Sequence, residues 1–285
     1  RYLWTSTRDI NILADYTNDD RVVPGSVLLE SRAPNGAIVS PNFSNPLRPI
    51  NPFGVAIPYD SRFLCGPYCN YSTFGSHAAP NPTTGIPGFL SLPGNGRSRF
   101  KGWGLSGQVE WELADNLNLV SITAYRQYES TFAIDNDLSP MSLYMAYGGV
   151  DFDFFSQELR LSGSFGDRKQ IEYTVGAYYS DQTAVNYTAA DLRYAGTQHT
   201  GRDPVPADSK ALFAHVSWSP VDDLTFNGGI RYTDESKNYT FNRYLLDGST
   251  HPTNRHHGMT GQYAEQRVDY RLNAQYRWSN EIMTY

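Results

Sequence analysis

From Phe100 onward, apolar and polar side chains alternate with a period of two, the pattern of a β-strand with one dry and one wet face. The sharpest case puts Val268, Tyr270, Leu272, Ala274, Tyr276 and Trp278 on one side and Arg267, Asp269, Arg271, Asn273, Gln275 and Arg277 on the other. Upstream, Leu212, Ala214, Val216 and Trp218 form one apolar stripe, and Leu224, Phe226, Gly228, Ile230 and Tyr232 form a second. Pro220-Val221-Asp222-Asp223 suits a tight turn between them, so 209–237 reads as a long antiparallel hairpin. The same alternation predicts strands at Ile10–Thr17, Phe100–Leu113, Leu117–Phe132, Phe154–Gly163 and Ile171 to about Tyr187. Within Leu117–Phe132, Val120, Ile122 and Ala124 make the expected apolar face, with Leu117 and Leu119 in the opposite phase.

The spaces between strands are as informative as the strands. Short turns at Ser6–Asp9, Ala114–Asn116, Ser164–Gln170, Ser219–Asp223 and Ser279–Glu281 alternate with longer connections. These are expected at 18–99, Asp135–Asp153, Ala190–Asp208 and Asn242–Ala264. Up-and-down order puts all short turns on one rim and all long loops on the other, which is how an outer-membrane barrel divides periplasmic from extracellular connections. Sandwiches and propellers give no reason for that alternation. The dry stripes then face lipid. The opposite phase of the last strand would place three arginines in hydrocarbon at about 2–4 kcal/mol each near the midplane. The expected fold is therefore all-β: a fragment of a large antiparallel transmembrane β-barrel, about ten strands within one domain over 1–285, with 18–99 as a long extracellular loop.

Composition narrows the alternatives. A net charge of -6 and the absence of a basic stripe argue against nucleic acid as a partner. No apolar run approaches the roughly 20 residues of a spanning helix, a limit that does not apply to barrel strands. The 21 tyrosines and 14 phenylalanines favour strands and suit aromatic girdles at a membrane surface. Cys65 and Cys69, close together in a Pro- and Gly-rich stretch, suggest a local disulfide in an oxidising compartment, with two free thiols as the alternative.

Several strands carry recognisable wording in a fixed order. Ser121-Ile122-Thr123-Ala124-Tyr125-Arg126 comes first, then Phe155-Ser156-Gln157-Glu158-Leu159-Arg160-Leu161-Ser162 and Gly176-Ala177-Tyr178-Tyr179. Ala211-Leu212-Phe213-Ala214 and Gly228-Gly229-Ile230-Arg231-Tyr232-Thr233-Asp234-Glu235-Ser236-Lys237 follow. This series, over about Phe100 to Tyr285, resembles the barrel of a TonB-dependent outer-membrane receptor. The resemblance implies a barrel of about 22 strands plugged by an N-terminal domain, with the plug and the remaining strands outside this chain. It implies residence in the cell outer membrane, contact with outer-membrane lipid, and energisation by the TonB complex through the plug. The implied cargo is a scarce, bulky small molecule or oligosaccharide: an iron chelate, cobalamin or glycan. A passive porin and a secreted β-sheet binding protein are the competing readings.

Candidate residues fall into three groups. Arg126, Glu158, Arg160, Arg231, Arg267, Asp269 and Arg271 share the polar phase, where they meet the plug or a water-filled lumen, or pair with one another as a rigid wall. Tyr68, Tyr71 and Phe74, beside the cysteines, offer an aromatic platform for ligand on a loop held by a rigid scaffold. His251, His256 and His257 share one loop and are candidates for ligand contact, with simple solvation as the alternative. No resident metal or cofactor is expected. Asp135 and Asp137 begin like a calcium loop, but Pro140 stands where the turn glycine belongs. No catalytic residue is expected either: His215 and Ser217 share a face, yet nothing in the sequence supplies an orienting acid or an oxyanion hole.

Overall fold

A computed structural model describes residues 8–22, 31–32, 38–39, 97–135, 144–166, 168–192, 197–245, 247–252, 254–279 and 281–285. Twelve strands are found among them, and no helix. They are β1 Arg8–Val22, β2 Ser31–Arg32, β3 Ile38–Val39, β4 Arg97–Ala114, β5 Leu117–Asp135 and β6 Tyr144–Phe165. There follow β7 Ile171–Leu192, β8 Thr197–Val221, β9 Leu224–Phe241, β10 Arg243–Tyr244, β11 Met259–Arg277 and β12 Met283–Thr284. Ten of them form one antiparallel sheet in the order β1-β4-β5-β6-β7-β8-β9-β11-β12, with β10 paired to β8, while β2 and β3 pair separately. Every neighbour on the main path is therefore next in the chain apart from the short β2, β3 and β10, which is meander topology.

Cross-strand partners share a face, so the register assigns every side chain to one of two surfaces. Tyr16 lies opposite Trp103, Leu105 opposite Tyr125, and Tyr125 opposite Phe155. Leu159 lies opposite Ala177, Leu212 opposite Tyr232, and Ile230 opposite Tyr270. The resulting surface is apolar and open: Leu212 is 63%, Tyr270 81% and Leu272 80% exposed. A water-soluble fold would cover such a surface, and among the described residues nothing covers it. On β9 the outward run is Leu224, Phe226, Gly228, Ile230 and Tyr232, and on β4 it is Trp111, Val109, Gly107, Leu105 and Trp103. Each run covers the roughly 9 to 11 residues a tilted spanning strand needs.

Aromatic rows bound this belt. Near the short turns, Trp218 stacks on Phe226 with ring centroids 5.6 Å apart, and Phe165 stacks on Tyr173 at 4.9 Å. At the other edge Trp103 meets Tyr125 at 5.1 Å and Phe155 meets Tyr179 at 6.3 Å. Two residues further along each strand the outward position turns polar: Asn18, Lys101, Gln127, Asp153, Asp181, Lys210, Asp234 and Gln266. These are the two girdles and the hydrocarbon limit of a membrane barrel.

On β5 the expected phase is reversed. Val120 faces Glu110 and Arg160, and Ile122 faces Gln108 and Glu158, so both lie on the wet surface with Ala124. Leu117, Leu119 and Tyr125 look outward instead. Arg126 decides the matter, since it shares the even phase and a one-residue slip would drive it into lipid. The consequence is a polar spot in the belt at Ser121, Thr123 and Gln157, which satisfies itself. Thr123 Oγ1 donates to Gln157 Oε1 at 2.5 Å, and Gln157 Nε2 donates to Ser121 Oγ at 3.1 Å and to the Glu158 carbonyl at 3.2 Å. Replacing Gln157 alone by leucine is expected to cost about 1–3 kcal/mol, because the hydroxyls lose their partner; adding Thr123→Val should recover most of it. Urea titration of the folded barrel in lipid checks both.

The far ends of the strands also differ from expectation. β6 and β7 run for 22 residues each and β8 for 25, so stretches expected as loops, 144–153, 190–192 and 197–208, are paired strand. β1 likewise continues to Val22 and β4 begins at Arg97. The strands thus project well past the girdle as a palisade. At the opposite rim the turns are laced together: Ser164 N–H donates to the Asn116 carbonyl, Ser219 N–H to Gln170 and Arg277 N–H to Asp223.

Candidate functional site

The surface opposite the belt is the candidate binding wall. Arg126, Glu158, Arg160, Arg231, Arg267, Asp269 and Arg271 all lie on it, and most engage a neighbour there. Arg126 Nη2 lies 2.6 Å from Asp15 Oδ2, reaching across Gly104. Arg160 pairs with Glu158, and Arg267 Nε lies 2.9 Å from Asp269 Oδ2. Arg231 donates to Thr233 Oγ1 and sits 5.9 Å from the rings of both Tyr178 and Phe213. Arg271 lines a recess of about 310 Å³ with His215, Asn227 and Asn273. Pairs this exposed add little to stability, so their effect is to fix the wall's electrostatic texture.

Just past the outer girdle the same wall carries a ladder of rings. Phe100 stacks on Tyr128 at 5.5 Å and 26°, Tyr128 on Phe152 at 4.8 Å and 25°, and Phe152 lies 6.4 Å and 8° from Phe154. All four are in the inward phase, Tyr128 opposite Gly102 and Phe152, and Phe154 opposite Arg126. Gly102 is what allows the first rung to lie flat. A Cβ there would come within 2.9 Å of Tyr128 Cβ and 3.2 Å of the Phe100 ring. The signal was present in the sequence as inward-phase aromatics on three adjacent strands, but it becomes visible only once register is known.

A second constellation lies farther out, where β9 leaves β8 and residues 242–258 fold back as a lobe. Arg243 crosses Gly201, where a Cβ would lie 2.5 Å from its Nη1, and reaches both Asp203 oxygens at 2.9 and 3.0 Å. Asp203 is 4% exposed and also accepts from Asn242 N–H at 2.8 Å and Tyr239 Oη at 3.3 Å. The sequence-predicted histidines are all here but do not converge on one point. His257 Nδ1 accepts from Arg243 N–H at 3.0 Å; the His251 ring is 6.2 Å from His199; the His256 ring packs edge-on against Phe241 at 6.5 Å. Burial, then the charges of Arg243 and His251, push the His199 pKa below the ordinary histidine value. At the rim of β1 and β4, the Arg97 guanidinium beside Asp20 holds that carboxyl below its usual range. Tyr68, Tyr71, Phe74, Cys65 and Cys69 lie outside the described residues. Among the described residues no group of three or more His, Cys, Asp or Glu is placed to hold a metal ion.

Comparison with known proteins agrees with this architecture. No curated protein sequence matches the chain. The solved ferric yersiniabactin uptake receptor FyuA from Yersinia pestis is similar with a TM-score of 0.50 and 18% identity, over 65% of this chain and 26% of that one. The ferric-catecholate import receptor Fiu from E. coli K12 has a TM-score of 0.47 and 14% identity over 72% of this chain and 35% of that one. The ferric citrate transporter FecA has a TM-score of 0.47 and 12% identity over 65% and 26%. This chain thus spans about a quarter to a third of the length of these proteins. The family described as "TonB dependent receptor-like, beta-barrel", a family of outer-membrane receptors and not of enzymes, matches residues 36–285. This chain belongs to the TonB-dependent receptor β-barrel family.

Proposed function

We propose that the chain forms one sector of the wall of an active outer-membrane receptor that takes up a ferric chelate bearing planar aromatic groups. The short-turn rim is periplasmic, the palisade and the connection between β1 and β4 are extracellular, and a plug that contacts the TonB complex fills the lumen beside the inward charges. The observation that carries this reading is the Phe100–Tyr128–Phe152–Phe154 ladder, whose half-buried rings face inward at the foot of the projecting strands. Stacked rings offer flat apolar faces at little entropic cost, since each has only two side-chain torsions to fix. The similar solved receptor FyuA is named for uptake of ferric yersiniabactin, which supports a ferric chelate as the ligand class. The lumen charges beneath the ladder are mostly paired with one another, so they guide a charged chelate without clamping it.

The test is uptake of radioiron by cells whose only copy of the full receptor is wild type or carries Tyr128→Ala with Phe152→Ala. Each lost ring contact is worth about 0.5–1.5 kcal/mol, so affinity for a ferric catecholate should fall on the order of tenfold while barrel assembly is unchanged. Unaltered affinity would remove the ladder from the site. Ligand-independent, unsaturable leakage of small solutes through the full receptor would instead support a passive pore.

A further inference from the structure

Among the described residues, the outward surface concentrates positive charge at one place, just above the outer aromatic girdle on β4. We infer that Arg97, Arg99 and Lys101 form a docking site for the phosphate groups of an anionic glycolipid of the outer leaflet, whose acyl chains lie on the belt below. The site rests on the assignment of the strand extensions to the outside of the cell, and not on which ligand the receptor takes.

Register puts the three side chains outward. Tyr16 and Trp103 lie opposite each other in the girdle, and the next pairs along the same face are Asn18 with Lys101, Asp20 with Arg99 and Val22 with Arg97. With a rise of about 3.3 Å per residue and strands tilted by about 40°, Lys101 stands roughly 5 Å above Trp103 and Arg99 roughly 10 Å. Those heights bracket the top of a head-group layer, which adds roughly 5–7 Å to each side of the hydrocarbon core. The two arginines are held in place from one side: Arg97 Nε donates to one Asp20 oxygen at 2.7 Å, and Arg99 Nε lies 3.4 Å from the other. Both stay open to their surroundings, with side-chain exposures of 40% and 61%. Three cations set against Asp20 and, across the sheet, Glu129 leave a net positive charge.

The neighbouring sector has the opposite sign. From β5 to β8 the outward positions above the girdle include Glu129, Asp151, Asp153, Asp181 and Asp208. A phosphate-bearing head group is repelled there and drawn to the corner formed by β1 and β4, so charge selects the position. Guanidinium suits this partner, because its planar fork meets phosphate oxygens two at a time. Below the cations the surface suits the rest of the lipid. Trp103 Nε1 donates to Gln127 Oε1 at 3.2 Å, which fixes the indole at the interface. Leu105 and Val109 continue the belt downward, and between them a dip opens at Gly107, where a Cβ would meet nothing within 4 Å. An acyl chain descending from a head group at Arg99 runs along this strip.

Native mass spectrometry of the full-length receptor, purified in nonionic detergent, stripped of endogenous lipid and titrated with bisphosphorylated lipid A, reads the site directly. Replacing Arg97 and Arg99 together by glutamine should weaken binding by at least about tenfold, because each basic side chain near an anionic lipid surface contributes several-fold. Arg168→Gln, which removes the same kind of charge from the short-turn rim, should bind as the wild type does. Dephosphorylated lipid A should bind the wild type no better than the phosphorylated lipid binds the double variant, a comparison that needs no mutant to fold. Equal affinity of wild type and folded double variant for lipid A overturns the proposal, as does equal affinity of the wild type for the two lipids. Equally tight binding of phosphatidylglycerol also overturns it, by showing a site for any lipid phosphate. An epitope tag inserted after Gly248 tests the orientation by itself: antibody binding to intact cells places the strand extensions outside whatever the lipid result, and its absence removes the orientation on which the site rests.

Discussion

Leu272→Arg is expected to abolish assembly of the barrel, whereas Asn273→Arg, one residue along, should leave it intact. Leu272 is 80% exposed and occupies the middle of the outward run Tyr276, Ala274, Leu272, Tyr270 and Val268, at the depth where hydrocarbon is thickest. An arginine there costs about 2–4 kcal/mol even after the bilayer adjusts, a large fraction of a marginal folding free energy. Asn273 lies on the wet wall and accepts from Asn227 Nδ2 at 2.9 Å. Its replacement forfeits one hydrogen bond of about 0.5–1.5 kcal/mol and adds a charge to a surface already rich in arginine. Heat-modifiable migration of membrane-extracted receptor on gels distinguishes folded from unfolded barrels. Equal failure of both variants would show that the two faces do not meet different solvents.

Asp203→Ala should release the lobe while the barrel persists. The carboxylate and the Arg243 guanidinium are both largely buried, at 6% and 14% side-chain exposure. Removing one member of a buried pair strands the other charge, which typically costs about 3–5 kcal/mol. Asp203 also anchors Asn242 N–H and Tyr239 Oη, so its loss frees three donors at once. The damage is confined, because at that level β9 has already left β8 and β10 is the element that Asp203 holds. Limited trypsin digestion of intact cells should therefore cut after Arg243 or Arg255 in the variant and spare the wild type. Asp208→Ala, which loses a single bond from Ser236 Oγ, is the control and should resist digestion. Resistance of Asp203→Ala to trypsin would mean the lobe is held by something other than this pair.

How much of this was readable beforehand depended on contrast between the two sides of each strand. β9 and β11 alternate cleanly within the membrane, and their phases follow from the sequence alone, although β11 begins at Met259, inside the Asn242–Ala264 stretch expected as a loop. β5 does not, because its outward positions include Ser121 and Thr123 while Val120 and Ile122 point into the lumen; only Arg126 in the same phase carried the right answer. The palisade was invisible for a related reason. Above the girdle both faces are wet, so the apolar signal vanishes although pairing continues, and β8 carries Pro204 and Pro206 within the paired stretch. Those prolines are tolerated because β8 in that stretch is paired with β7 alone, β9 having departed after Ala207. The histidines of the lobe were noticed as a cluster, yet the pair that organises them, Asp203 and Arg243, is separated by forty positions and carries no local mark.

The continued pairing of β6, β7 and β8 beyond the lipid has a consequence for what the cell presents to its surroundings. At about 3.3 Å per residue and a tilt near 40°, the stretch of β8 from Lys210 to Thr197 raises its tip roughly 30 Å above the hydrocarbon edge. On the orientation proposed above, an antibody or a phage tail approaching from the medium meets the crest of this stiff wall first and the rings at its foot last. Mutational escape from such predators can therefore be expected to accumulate along the crest, where change leaves the foot of the wall undisturbed.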